Sequence, residues 1–468
     1  MDLLDAAPSS LETYRAQGGR GEFRLRSHFQ PIFSLAHRRP VGYEGLVRAT
    51  REGGENVAPL DLLRGTPHGE ARTALDRRCR SLHVSNFQRL GATHSWLFLN
   101  VDPYVAAEGR KFGAFFAQML ESSGFPAHRV AIELVETPHE DEESLCAAIE
   151  YYRELGCLIV IDDFGAGSSN FDRIWRLKPD IVKIDREMTR RVTVDPLARR
   201  MFMGIVAVLH EAGALVCVEG IETEAEALCA TAADADLVQG YYFARPSAGL
   251  PREHACRVLF AQLSAAFRAE NARFRDRRGV RLEPYFAELS ASARGIHDGT
   301  DYAEAVCALL ALECTQRCYL IASDGFQIGA NLDAERNASA RSPRLEPMRP
   351  TPGTNWQSKA YFRRALAAPG RIQITRPYLS VTGPRLCVTL SLAFRVNQNV
   401  FVLCADLDLR GLDGEDLSYG IDETGLPVPG VGDIAEAPEH LRRPRQAVHR
   451  GPAAPGFGEL VRFPGIPL

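Results

Sequence analysis

Leu158-Ile-Val-Ile-Asp-Asp-Phe-Gly165 decides the fold. Four aliphatic residues run into two adjacent carboxylates, Asp162 and Asp163, and then into a glycine turn. A run this short and this rich in β-branched residues is a buried strand. A barrel of parallel strands carries its reactive groups at the C-terminal ends of those strands, where this polar pair falls.

The same pattern recurs along the first half of the chain. HFQPIFSL (28–35) is followed by VGYEGLVR at Glu44, WLFLNVDP at Asn100 and VAIELVET at Glu133; IVKIDREM at Lys183, LVCVEGIE at Glu219 and LVQGYYFA at Gln239 come after LIVIDDFG. Helical stretches such as ESLCAAIEYYRELG before Cys157 and ARRMFMGIVAVLHEAG before Ala214 separate most of these runs, each ending on glycine. Strand and helix in alternation mean parallel pairing. Only AHRRP separates the first run from the second, too little for a crossover helix, so these two pair antiparallel. The expectation is an α/β fold: a TIM-like (β/α)8 barrel with an antiparallel first strand.

The rim is made of carboxylates and an amide, with no histidine or cysteine. Such hard oxygen donors select magnesium or manganese over zinc or copper. Adjacent aspartates at a strand end can aim into one site and bridge two ions, which together activate a water against a phosphodiester. Lys183 supplies a fixed positive charge near a phosphoryl group, Glu219 a ligand or proton acceptor, and Arg48 a partner for phosphate. Any one of these residues alone reads as an ordinary cap, turn or salt-bridge group. Their occurrence in order, at successive strand ends, is what argues for a site.

These residues carry a resemblance. Residues of roughly 20 to 250 resemble the EAL-domain family of cyclic di-GMP phosphodiesterases: Glu44-Gly45-Leu46 with Arg48, LNVDP, IELVET, IDDFGAGSS, VKID, VEGIET and QGYYFARP. The resemblance implies hydrolysis of cyclic di-GMP to linear pGpG with two Mg2+ or Mn2+ ions. It implies Glu44, Asn100, Glu133, Asp162, Asp163 and Glu219 as metal ligands, with Lys183, Glu219 and Glu44 catalytic. Gln30, Leu46, Arg48, Asp185 and Gln239 match substrate-side positions, and Glu136 matches a glutamate that steadies the loop Phe164 to Asn170. Three departures stand out: glycine replaces the signature alanine at 45, Asp102 replaces a serine, and the loop reads GAGSSN. Two alternatives remain beside turnover: a receptor that binds cyclic di-GMP without hydrolysing it, and a scaffold for partner proteins.

With 468 residues and 45% apolar content, the chain exceeds one barrel of about 250 residues. The expected organisation is an N-terminal extension (1–20), the barrel (21–250), a helical connector (251–300), a sensory domain (301–414) and a loosely ordered Pro/Gly/Arg-rich tail (415–468). HACRVLFAQLSAAFRAENARFRD (254–276) supplies the connector. CYLIASDGFQIGANL, RIQITRPYLS, RLCVTLSLAFRV and NVFVLCADLDL read as an antiparallel sheet with helices on one side, and with WQSKAYFRRAL they resemble an α+β PAS- or Cache-type domain. Trp356, Tyr361 and Tyr378 are candidates for a small-molecule pocket there, with plain core as the alternative.

Net charge is −4 and the basic residues are scattered, which leaves no electrostatic footprint for a nucleic-acid duplex. The start, MDLLDAAPSS, has no basic segment or apolar run, and no membrane span is visible, so a cytoplasmic protein is expected. A homodimer is expected by analogy with the family. Eleven cysteines read as free thiols, buried at Cys146, Cys157, Cys217, Cys229, Cys307, Cys387 and Cys404. Cys314 and Cys318 have helix-face spacing but no second ligand pair for a soft metal.

Overall fold

In the computed structural model the described residues are 12–15, 22–102, 105, 115–134, 142–166, 171–251, 253–335, 353–379, 386–409 and 426–427. The chain divides into two compact units, Met1–Ala269 and Glu270–Leu468.

The strands of the first unit are β1 (Glu12–Arg15), β2 (Glu22–Ser34), β3 (Arg39–Arg51), β4 (Asn56–Val57), β5 (Trp96–Val101), β6 (Val130–Leu134), β7 (Leu158–Phe164), β8 (Ile181–Ile184), β9 (Leu215–Val218) and β10 (Leu237–Val238). From β3 through β5, β6, β7, β8 and β9 to β10 the neighbours are parallel. β2 closes the ring, antiparallel to β3 on one side and to β10 on the other. The antiparallel opening expected from the short AHRRP link is thus present, as the turn after Ser34. β1 pairs with the outer end of β2, so the sheet begins inside the segment assigned to an extension.

Alternation along the strands divides the core in two. Inward-facing Ile32, Phe98, Ala131, Val160, Ile181, Cys217 and Leu237 form a compact cluster inside the barrel. Outward-facing neighbours such as Leu97, Leu99, Ile132, Ile159, Ile161, Val182 and Val216 join the larger core beneath the helices. Gly42 belongs to the interior layer: a Cβ there would lie 2.4 Å from Phe98 Cε2, so the phenyl ring takes that space. The helix Glu253–His297 contributes Cys256, Phe260 and Leu263 to the barrel's outer core, where Phe260 stacks on Phe243 at 5.6 Å.

The second unit is built on β11 (Thr315–Ala322), β12 (Gln327–Asp333), β13 (Arg371–Ile374), β14 (Tyr378–Leu379), β15 (Leu386–Val396), β16 (Asn399–Asp408) and β17 (Leu426–Pro427). Their order is β12-β11-β16-β15-β13-β17, with β14 on β15, and every pairing is antiparallel. Helices on one side were expected; both faces are covered. Leu282, Tyr285, Leu289, Ala293 and Ile296 of the long helix pack on one face, and Tyr361, Phe362 and Ala365 of the helix Ala360–Ala367 on the other. The cause is visible in β15 and β16, whose near-continuous buried runs leave no solvent-facing row. Of the Pro/Gly/Arg-rich tail, only Leu426–Pro427 lies within the described residues.

Two cysteine expectations need correction. Cys307 is exposed and Cys146 only partly buried, while the other five named are buried. Cys318 lies on β11, not on a helix face, because the β-branched and aromatic run that follows it favours a strand.

Candidate functional site

Each rim residue stands two positions along its strand from a member of the interior cluster. Asn100 follows Phe98, Glu133 follows Ala131, Asp162 follows Val160, Lys183 follows Ile181, Glu219 follows Cys217 and Gln239 follows Leu237; on reversed β2, Gln30 precedes Ile32. With a side-chain period of two, the polar groups must point into the same lumen as the apolar plug, one layer higher.

Lys183 sits at the centre, 1% exposed. Its Nζ lies 2.5 Å from Glu219 Oε1, 2.7 Å from Glu133 Oε1, 3.4 Å from Asp162 Oδ1 and 3.6 Å from Glu44 Oε2. Glu44 is fixed from two sides, Oε1 accepting from Asn100 Nδ2 and Oε2 from Gln239 Nε2, both at 2.8 Å. Asp163 turns back toward the site by taking a left-handed backbone, φ 55°, before Gly165 at φ 100°. Ligand oxygens of Asp162, Asp163 and Glu219 lie within 4.8 Å of one another, the one such grouping among the described residues.

The electrostatics are unbalanced. Burial opposes the charge of Lys183, but Asp162, Glu133, Glu219 and Glu44 outweigh it and hold the ammonium well above its ordinary range. Burial pushes Glu133 well up, and Glu44 and Asp162 push it further against the pull of Lys183. Glu219 is likewise raised by burial, and Asp163 is raised to about 6 by burial and then by Asp162. Glu44 alone moves down, because Lys183 and the two amide donors outweigh its burial.

One ammonium cannot neutralise five carboxylates. Glu133 Oε2 is buried without a hydrogen-bond partner, and buried Asp162 Oδ1 has only the ammonium, at 3.4 Å. Orphaned hard oxygen donors in a buried, over-acidic site fit divalent cations.

Gln30 lies opposite Glu44 across the β2–β3 ladder, and Leu46 and Arg48 continue the Glu44 face at alternate positions. Arg48 donates to Val47 O at 3.0 Å and, among the described residues, has no acidic partner. Asp185 spends one oxygen on the helix Arg186–Arg191, accepting from Glu187 N at 2.8 Å. Glu136 and the loop beyond Ala166 lie outside the described residues. The charge of Asp102 is partnered: Oδ2 accepts from Arg72 Nε at 2.7 Å.

In the second unit Trp356, Tyr361 and Tyr378 come together on one pocket, with Arg317, Tyr319, Asn331 and Lys359. The buried ion pair between Arg317 of that lining and Asp406 was not foreseen. Its signal was a lone charge inside each of two apolar strand runs, since such charges are rarely buried unpaired.

The fold and rim define a (β/α)8-type barrel with an acidic, cation-fitting centre at the C-terminal ends of its strands. Residues 14–246 match the family model "EAL domain", and this part of the chain is an EAL domain. A Bacillus subtilis EAL-domain-containing protein, YkuI, is 30% identical over 225 residues, covering 47% of this chain and 54% of that one. The cyclic di-GMP phosphodiesterase NbdA of Pseudomonas aeruginosa is 28% identical over 235 residues, 48% of this chain and 29% of its own length. The chain thus spans about half, or less, of these relatives. The crystal structure of YkuI, in complex with substrate c-di-GMP and calcium, superposes with a TM-score of 0.69 at 22% identity, covering 83% of this chain and 95% of that one. A share that large exceeds residues 14–246, so the common fold extends into the C-terminal unit.

Proposed function

We propose that the barrel hydrolyses cyclic di-GMP to linear pGpG, using two divalent cations, Mg2+ or Mn2+. The observation that carries this reading is the convergence of Glu44, Glu133, Asp162 and Glu219 on Lys183, with Asp163 grouped beside Asp162 and Glu219 and buried oxygens left unsatisfied. The named phosphodiesterase among the relatives and the c-di-GMP in the YkuI crystal support the choice of substrate.

Glu44, Asn100, Glu133, Asp162, Asp163 and Glu219 would hold the cations. When bound, these supply charge stabilisation and water activation for an in-line displacement. Lys183 Nζ directs a fixed positive charge at the attacking water and the phosphoryl oxygens. Glu219, whose Oε1 lies 2.5 Å from that ammonium, would take the water's proton. Arg48 offers its guanidinium to the phosphate, and Gln30, Leu46, Asp185 and Gln239 face or fix the nucleotide. Glu136 keeps its expected role in steadying the loop after Asp163. The C-terminal unit acts on this reaction as a PAS- or Cache-like sensor, and the protein works as a cytoplasmic homodimer.

The test is incubation of the full chain with cyclic di-GMP and Mg2+, Mn2+ or a chelator, following both binding and pGpG. Metal-dependent conversion is expected. Tight binding with no product under any condition would overturn turnover in favour of a receptor. Glu44→Ala or Asp162→Ala should lower turnover by about two orders of magnitude or more. Lys183→Ala should lower kcat far more than affinity, because its charge acts on the transition state.

A further inference from the structure

We propose that the aromatic-lined pocket in the C-terminal unit binds a small organic monoanion: a carboxylate carried on a planar, apolar body. This rests on the sensory reading of that unit and adds the chemistry of what is sensed.

Charge decides the sign. Asp406 lies beneath the pocket, fully buried, and its carboxylate is consumed there: it accepts from Arg317 Nε at 2.7 Å and also from Nη2, and from Thr389 Oγ1 at 2.6 Å. Among the described residues, no carboxylate lines the pocket. Lys359 does line it, at an exposed position, and among the described residues its ammonium pairs with no carboxylate. One uncompensated cation over a neutralised floor favours an anion. A dianion would need a second free cation to offset its desolvation.

Shape decides the body. The rings of Tyr319 and Trp356 lie 5.9 Å apart at 40°, and Tyr361 stands edge-on to Tyr319 at 6.5 Å. Trp356 Nε1 donates to Gln327 Oε1 at 3.0 Å, and Gln327 Nε2 donates to Asn331 Oδ1 at 2.9 Å, which fixes the indole plane. Tyr378 OH pairs with Thr389 Oγ1 at 2.6 Å and Tyr319 OH donates to Tyr361 OH at 3.1 Å, so the wall is pre-organised. Rings set at these angles offer faces and edges on which a flat ring system can pack.

The experiment titrates the full-length protein with benzoate, 4-hydroxybenzoate, phenylacetate and indole-3-acetate, using benzamide and inorganic phosphate as controls. Tryptophan fluorescence and thermal shift are the readouts. At least one carboxylate should saturate below about 10 mM, with benzamide and phosphate roughly tenfold weaker or silent. Trp356→Phe should remove the fluorescence response, and Lys359→Gln should weaken binding about tenfold without changing the melting temperature of the free protein. No saturable response from any carboxylate, an equal response to benzamide, or full binding by Lys359→Gln each overturns the proposal. Formation of pGpG is measured in the same samples. Carboxylate binding with unchanged turnover keeps the pocket assignment and removes the regulatory role. Turnover that responds to a carboxylate bound equally well by the Lys359→Gln and Trp356→Phe variants does the reverse.

Discussion

A Cβ at position 45 would lie 2.9 Å from Cγ of His83, so the strand that carries Glu44 has room there only for glycine. His83 is buried, its Nδ1 2.8 Å from Ser27 Oγ, which itself accepts from Asn86 Nδ2 at 3.0 Å. This explains why the signature alanine is replaced in this chain: the imidazole occupies the methyl's place. Gly45→Ala should cost about 1–3 kcal/mol by overpacking, measured by urea unfolding, and His83→Ala in the same chain should recover part of it. Failure of the pair to couple would show that the two sites are independent. Burial also lowers His83 to about 4. The unfolded chain therefore binds the extra proton between about pH 4 and 6.5, so stability is complete above 6.5 and falls as pH drops toward 4. The slope should be at most about 1.4 kcal/mol per pH unit, and His83→Asn should flatten it.

Among the elements, the strands were the most legible, because a polar residue two positions beyond an inward aliphatic one is a period-two signal readable from LIVIDDFG or LVCVEGIE alone. The site followed from the same signal, and all the rim residues from Glu44 to Gln239 share the one lumen. What strings of residues did not disclose was which of two partners a charge takes. Asp102 could have faced the site; instead Arg72, from the helix Glu70–Arg89, holds it at the end of β5. If the barrel turns over cyclic di-GMP as proposed, Arg72→Ala should release that carboxylate near the anionic substrate and raise KM several-fold with little change in kcat, with Asp102→Ser restoring it. The two-sided cover of the C-terminal sheet was missed for a related reason: an unbroken apolar strand such as VFVLCA (400–405) states that both faces are buried but not which helices bury them.

For the whole molecule, the long helix bears on where the chain can be cut. Because Cys256, Phe260 and Leu263 complete the barrel's outer core, ending the chain at 250 would strip them, whereas ending it after Ala269 leaves the first unit intact. The outer helices Phe171–Leu177 and Pro196–Glu211 and the turn that precedes the second expose Trp175 at 81%, Val194 at 80% and Met201 at 57%, a cost that a second copy would remove. Trp175→Glu should shift the protein toward monomer in sedimentation while leaving its melting temperature close to that of the parent; an unchanged oligomeric state would rule this face out. Among the described residues, no helix is long and apolar enough to cross a membrane.

The apolar plug of Ile32, Phe98, Val160 and their neighbours blocks the floor of the barrel. The mouth is then both entrance and exit, and in the proposed reaction a departing linear dinucleotide would have to use the doorway through which the next cyclic one arrives. Traffic of that kind would make the product a competitor for the proposed cations and for Arg48, so progress curves should bend early, before substrate is exhausted.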